Sequence, residues 1–196
     1  MNTEILISVL IAAAVMIAAG LVAWLAIRRW RSQKLREKFG PEYDYTMEIV
    51  GDRRSAEETL AEREKRISKL EIRALNEDEK VRYHGEWIDI QANFVDNPSK
   101  SVEEANRLIT EVMITRGFPV ADFEQRAADL SVMYPEFVSN YRNAHDIAIK
   151  NQSNGTSTEE LRQAMVYYRS LFDELLGKVE VKQVDSTTEK KVVNQY

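Results

Sequence analysis

The chain has no cysteine, which removes disulfides, zinc–thiolate sites, iron–sulfur clusters and thiol nucleophiles together. Proline and glycine are scarce, four and seven in 196 residues, and so few turn-formers favour helix over a strand-and-turn fold. Histidine occurs only as His84 and His145, and neither the H-E-x-x-H zinc helix nor the Glu-x-x-His of di-iron bundles is present. No glycine-rich run leads into a Lys-Ser/Thr pair, so a phosphate-binding loop is missing, and no G-x-S-x-G is found. The chain is therefore expected to be non-enzymatic, with no cofactor, metal site or catalytic residue.

Charge is absent from Ile5 through Ile27, a run of 23 residues. As a helix this run is about 34 Å long, enough to cross a hydrocarbon core of roughly 30 Å with some tilt. A cleaved signal peptide has a basic start and a shorter apolar core, whereas this chain begins Met1-Asn2-Thr3-Glu4. The spacing predicts a membrane-spanning helix. Ser8, Ala12, Ala19, Ala23 and Ala26 fall near one face. Such a small-residue face allows close helix approach and a homodimer, although a plain anchor is the simpler reading.

The cations begin abruptly after the span. Residues 28–38 hold Arg28, Arg29, Arg31, Lys34, Arg36 and Lys38 against one anion, Glu37. No Lys or Arg precedes the span, and the bias of cations toward the inner side places residues 1–4 outside and everything after Ile27 in the cytoplasm, at the cell inner or plasma membrane. Trp24 and Trp30 bracket the inner boundary, and with the six cations they form the expected membrane interface, drawn to anionic lipid. Residues 39–196 carry 21 basic against 30 acidic side chains. That acidic balance argues against nucleic acid as a partner.

Beyond the collar the pattern is helical throughout. Gly40-Pro41 ends one helix and starts another, and 41–74 reads as a long polar helix with Gly51 as a weak point. Its heptad-spaced positions include Ile49, Arg53, Ala56, Leu60, Arg63, Ile67, Leu70 and Ala74, suited to a stripe lying on the chain's own domain or, less simply, to self-association. Asn76 with Glu79 forms a capping box before a helix whose Val81, Tyr83, Trp87, Ile88, Ile90, Phe94 and Val95 suggest a broad buried arc. Ser101 with Glu104 is a second expected cap, ahead of a stripe of Val102, Ala105, Ile109, Val112 and Met113. A shorter helix around Val120, Phe123, Ala127 and Leu130 follows, then one from Tyr134-Pro135 to Lys150. The last starts at Ser157 and Glu160, carries Leu161, Ala164, Met165, Tyr168, Leu171, Phe172 and Leu175, and stops at Gly177. Residues 77–177 thus read as a five-helix bundle, and 178–196 as a flexible tail.

Four features invite a chemical reading. His145 beside Asp146 has the make-up of a carboxylate-oriented base, but its position on an apolar stripe fits a core-edge histidine, as does that of His84. Asp122, Arg126 and Asp129 suit ion pairs across a helical turn. Tyr134, Tyr141, Tyr167 and Tyr168 suit packing at bundle seams. Two N-glycosylation acceptor patterns, at Asn151 and Asn154, serve as turns on a cytoplasmic domain.

The stretches KLREKFGPEYD, GDRR, AEREKR, DFEQRAADLS and LRQAMVYYRSLFDELL resemble, in this order, a family of uncharacterised bacterial proteins, membrane-anchored, helical, and labelled hypothetical or loosely secreted. The resemblance covers about Lys34 to Leu176. It implies bacterial origin and an anchored helical domain, with no catalytic or binding residues to carry over, and its "secreted" label conflicts with the topology that the cations imply. The expected whole is an all-α protein: one transmembrane helix, a long polar helix and a five-helix bundle, acting as a membrane-anchored interaction or scaffold module with a protein partner. The alternative is an enzyme or small-ligand sensor with a pocket inside the bundle.

Overall fold

A computed structural model describes residues 3–152 and 155–177, without the side chains at 4–6, 8–10 and 14. The tail at 178–196, most of the outer segment at 1–4, and the Ser8 side chain of the small-residue face lie outside the described residues. Eight helices are present among the described residues and no strand. They are α1 (Thr3–Phe39), α2 (Pro41–Val50), α3 (Arg53–Ile67), α4 (Glu77–Asn93), α5 (Pro98–Thr115), α6 (Phe123–Met133), α7 (Pro135–Gln152) and α8 (Thr158–Leu176).

Among the described residues one helix is long and apolar enough to cross a membrane. In α1 the apolar stretch, from Ile11 onward, has no buried residue among those described, and the helix continues through the collar to Phe39. The chain then reverses at Gly40-Pro41, where Pro41 occupies the first turn of α2.

The expected long polar helix over 41–74 is instead two helices and an irregular segment. Gly51 adopts φ +75° and donates its N–H to the Met47 carbonyl, closing α2 in a left-handed conformation that L-residues with a side chain disfavour. Asp52 then caps α3 by accepting from the Ser55 N–H at 2.9 Å. The apolar heptad positions are divided accordingly. Ala56, Leu60 and Ile67 are buried within the molecule, while Ile49 is exposed. Residues 68–76 leave the helix and cross the bundle, Leu75 joining its core while Leu70 and Ile72 pack against it. The Arg73 N–H donates to the Arg116 carbonyl at 2.8 Å, and Gly117 fixes the crossing, because a Cβ there would stand 2.6 Å from the Glu71 carbonyl oxygen at a φ of +100°.

In the bundle α8 packs on α5 and α7, α4 on α5, and α6 on α7 and α3. Leu161, Ala164, Tyr168, Leu171, Phe172 and Leu175 of α8 meet Leu108, Ile109 and Val112 of α5 and Tyr141 and Ala144 of α7 in one buried cluster, and the Trp87 and Phe172 rings stack 4.7 Å apart. The capping boxes at Asn76–Glu79 and Ser157–Glu160 form as the sequence predicts. The cap at Ser101 does not. Proline is preorganised for a first turn, so α5 starts at Pro98 with Asn97 in the cap position, four residues before the expected cap, leaving Ser101 inside the helix and buried. The broad buried arc of α4 is narrower than expected. Packed mainly on α5, the helix buries Tyr83, Trp87 and Ile90 on one face and leaves Val81 and Ile88 exposed, as is Val95 just beyond its end. Val120, before α6, is also exposed.

Candidate functional site: the platform at the end of α1

α1 runs unbroken through the collar, so residues 28–39 continue the axis of the apolar segment. Trp24 and Trp30 are exposed. Long side chains lean toward the helix N-terminus, and the Arg28 guanidinium sits over the Trp24 ring, 5.5 Å from its centroid. The six cations divide into two groups. Arg36 pairs with Asp44 at 3.4 Å and Lys38 with Glu64 at 2.7 Å, both partners belonging to the body. Arg28, Arg29, Arg31 and Lys34 make no ion pair among the described residues.

The next two helices form a platform with the end of α1. Phe39, Tyr43 and Leu60 make a small apolar cluster with Leu35, Met47 and Val132 around it. Beside it is a polar joint in which Glu57 accepts from Tyr43 Oη at 2.9 Å, from Arg53 Nε at 2.9 Å and from Ser32 Oγ, while Arg53 also donates to Ser32. Burial works to raise the Glu57 pKa, but these donors outweigh it and hold the carboxyl below its ordinary value, hence ionised. Two clefts flank the joint. One, of about 420 Å³, is lined by residues that include Arg29, Gln33, Arg36, Asp44 and Met47. The other, of about 370 Å³, lies among Trp24, Arg28, Arg31, Arg54 and Glu57. Both fall in the range of roughly 300–1,000 Å³ usual for ligand clefts.

A second, deeper joint ties the platform to the bundle. The Glu42 carboxylate, 1% exposed, accepts from Arg63 at 2.8 Å and from Arg142 at 3.0 Å. Arg142 also reaches Glu124 at 2.8 Å and lies over the Tyr45 ring. Burial works against the Arg142 charge, and Glu42 and Glu124 more than offset it, so its pKa is raised. Arg66 pairs with the buried Asp129. The turn-to-turn pairs expected within α6 are thus replaced by others. Asp129 goes to α3, Asp122 accepts from the Gln125 N–H as the helix cap, and Arg126 donates to Tyr141 Oη and the Ala121 carbonyl. Long-range partners win because Asp129 faces α3, where an unpaired buried carboxylate would be costly.

His145 stacks on Phe123 with ring centroids 3.5 Å apart, and burial depresses its pKa. It sits at the core edge, beside a cleft of only about 190 Å³ lined by Arg142 and Asp146 among others. Tyr141 and Tyr168 are fully buried, and Tyr134 and Tyr167 pack against the same core. No group of His, Asp and Glu suited to a metal ion is found among the described residues.

Sequence reasoning singled out the collar, read Arg53 only as a heptad position, and did not single out Glu42, Arg54 or Glu57. The available signal was weak: an acidic residue after Gly40-Pro41 and an Arg pair after Gly51, both ordinary in a polar helix. Comparison with known proteins finds no matching family model, no matching curated protein and no matching solved structure.

Proposed function

We propose that the chain is a single-pass anchor carrying a cytoplasmic helical interaction or scaffold module, non-enzymatic in itself and of the kind its resemblance to anchored bacterial proteins implies. α1 is the anchor. The cations on one flank of the span and their absence from the other set the N-terminus outside, with the collar against anionic lipid.

The observation that carries this reading is the continuity between anchor and bundle. The Phe39–Tyr43–Leu60 cluster, the Glu57 joint and the Glu42 clamp leave no loose linker between α1 and the helices beyond it. A tethered enzyme needs only a leash, whereas a module that presents a surface at fixed height needs such joints. The sensor alternative calls for a polar cavity inside the bundle, and the apolar filling around Leu108, Tyr168 and Phe172 favours the module.

Two experiments test it. With reporters fused behind Gly177, the expected outcome is a bright fluorescent protein and an inactive alkaline phosphatase, and active phosphatase overturns the cytoplasmic placement. Photo-crosslinkers at the exposed Val81 and Ile88, in intact membranes, should give a discrete protein adduct. If no exposed bundle position yields one, the module reading falls.

A further inference from the structure

The turn between α2 and α3 comes back toward the level at which the cations begin. From Ile27 to Phe39 the collar rises about 18 Å, and the ten residues of α2 run about 15 Å. α2 doubles back beside α1, as shown by the Arg36–Asp44 pair and by the cleft that Arg29 and Gln33 share with Met47. The turn at Gly51 therefore ends near the height of Arg28. That placement is borne out by Arg54, which lines one cleft with Trp24, Arg28 and Arg31. The α2 residues entering the turn are apolar and uncovered, Ile49 being 65% and Val50 37% exposed.

The arginines point the same way. Every arginine from Arg63 onward has a carboxylate, carbonyl or hydroxyl partner, as do Arg36 and Arg53. The guanidiniums of Arg28, Arg29, Arg31 and Arg54 make no ion pair or hydrogen bond among the described residues, although Arg54 lies within electrostatic reach of the Asp52 carboxylate, which already caps α3. Three of these four line one cleft. Its single carboxylate, Glu57, is already engaged by Arg53, Ser32 and Tyr43. Unpaired guanidiniums converging on a cleft beside an exposed indole match a phosphate held at a bilayer surface.

We propose that the turn over residues 49–54 is a second membrane contact. The cleft of Trp24, Arg28, Arg31 and Arg54 holds the phosphate of an anionic lipid headgroup, and Ile49 with Val50 dips into the same leaflet. This rests on the reading of α1 as a membrane span. The contact fixes the tilt of the platform, because the body then touches the membrane at two points, α1 and the turn.

The test uses the full chain in nanodiscs of phosphatidylcholine, alone or with roughly one-third phosphatidylglycerol; each cation near an anionic surface should change lipid retention about five-fold. Phenylglyoxal modification of Arg54, read by peptide mass, should be suppressed in the anionic discs and not in the neutral ones, even with inorganic phosphate added. Equal modification in both discs overturns the cleft, and equal protection by inorganic phosphate overturns lipid as its ligand. Arg54→Gln should lose phosphatidylglycerol about five-fold, with Arg54→Lys retaining most of it and Lys65→Gln, an equal charge loss elsewhere on α3, leaving it unchanged. Equal loss from Lys65→Gln reduces the effect to net charge and overturns the site. The chain has no native cysteine, so a dye on Ile49→Cys reports depth cleanly. Lipids spin-labelled at the headgroup should quench it and spare a dye on Ser68→Cys at the far end of α3, and the absence of that difference overturns the turn contact. A chain that fails to enter the discs sinks the span itself, separately from the cleft.

Discussion

The bundle and the platform at the end of α1 are both helical and adjoin one another, yet they hold together differently. Between α4 and α8 the fixing contacts are apolar: Leu108, Ile109, Tyr141, Tyr168, Leu171 and Phe172 are fully buried in one cluster. In the platform only Phe39, Tyr43 and Leu60 form a buried apolar group, and orientation comes from ion pairs made across long sequence separations, Glu42 to Arg63 and Arg142 and Asp129 to Arg66. Apolar burial is non-directional and tolerates rearrangement. A buried carboxylate between two guanidiniums has one good geometry, so it sets a helix's position more narrowly than a greasy patch does.

The sharpest way to break this contrast is to cut each region at its centre. Phe172→Ala removes a fully buried ring stacked on Trp87 and should cost roughly 3–5 kcal/mol in urea unfolding, lowering the stability of the whole molecule. Glu42→Ala strands Arg63 without its carboxylate, leaves Arg142 with Glu124 alone and should cost about 3 kcal/mol. Here hydrogen exchange should rise in α2 and α3 while α8 stays protected; uniform loss across both regions would erase the distinction between them. Gly117→Ala acts at the bridge. The left-handed backbone alone costs about 1–2 kcal/mol, and the clash with Glu71 adds to it. The visible result should be a detached 68–76 segment, read as new protease sensitivity there.

The smallest effect is a pH dependence. Burial depresses the His145 pKa below its ordinary 6.5, so the unfolded chain takes up the proton more readily than the folded one. Stability is full above that value and falls as pH drops below it. Asp146 and Glu124 oppose this shift and Arg126 favours it. His145→Phe, which keeps a ring against Phe123, should flatten the slope of Tm between about pH 7 and 5. An unchanged slope would assign the acid sensitivity elsewhere.

How legible each region was in the sequence follows from the same contrast. The α8 stripe, the α5 stripe and two capping boxes could be read directly, because helical periodicity and caps are local signals. The split at Gly51 was visible only as a weak point, since an isolated glycine within a polar helix can be tolerated at a modest cost, and the cap at Asp52 decides the matter. Val81, Ile88 and Val95 suggested burial by composition, but α4 meets α5 on one face only, and a stripe cannot say how many neighbours it has. Asp122, Arg126 and Asp129 pointed to one another at local spacing. Asp129 and Arg126 took partners on α3 and α7 once those helices came within reach, while Asp122 became the cap of its own helix.

The sequence by itself determined the helical class, the apolar length of α1, the abrupt cationic edge at Arg28 and the apolar faces of α5 and α8, because each depends on residue types at fixed spacing along one chain segment. Only the tertiary structure decided that Arg36 and Lys38 turn to the body while Arg28, Arg29 and Arg31 make no ion pair among the described residues, and that Arg54 lines a cleft with Arg28 and Arg31 from a different helix. Those outcomes depend on which elements meet. An ion pair formed across 100 residues, such as Glu42 with Arg142, leaves no periodic trace in the chain that encodes it.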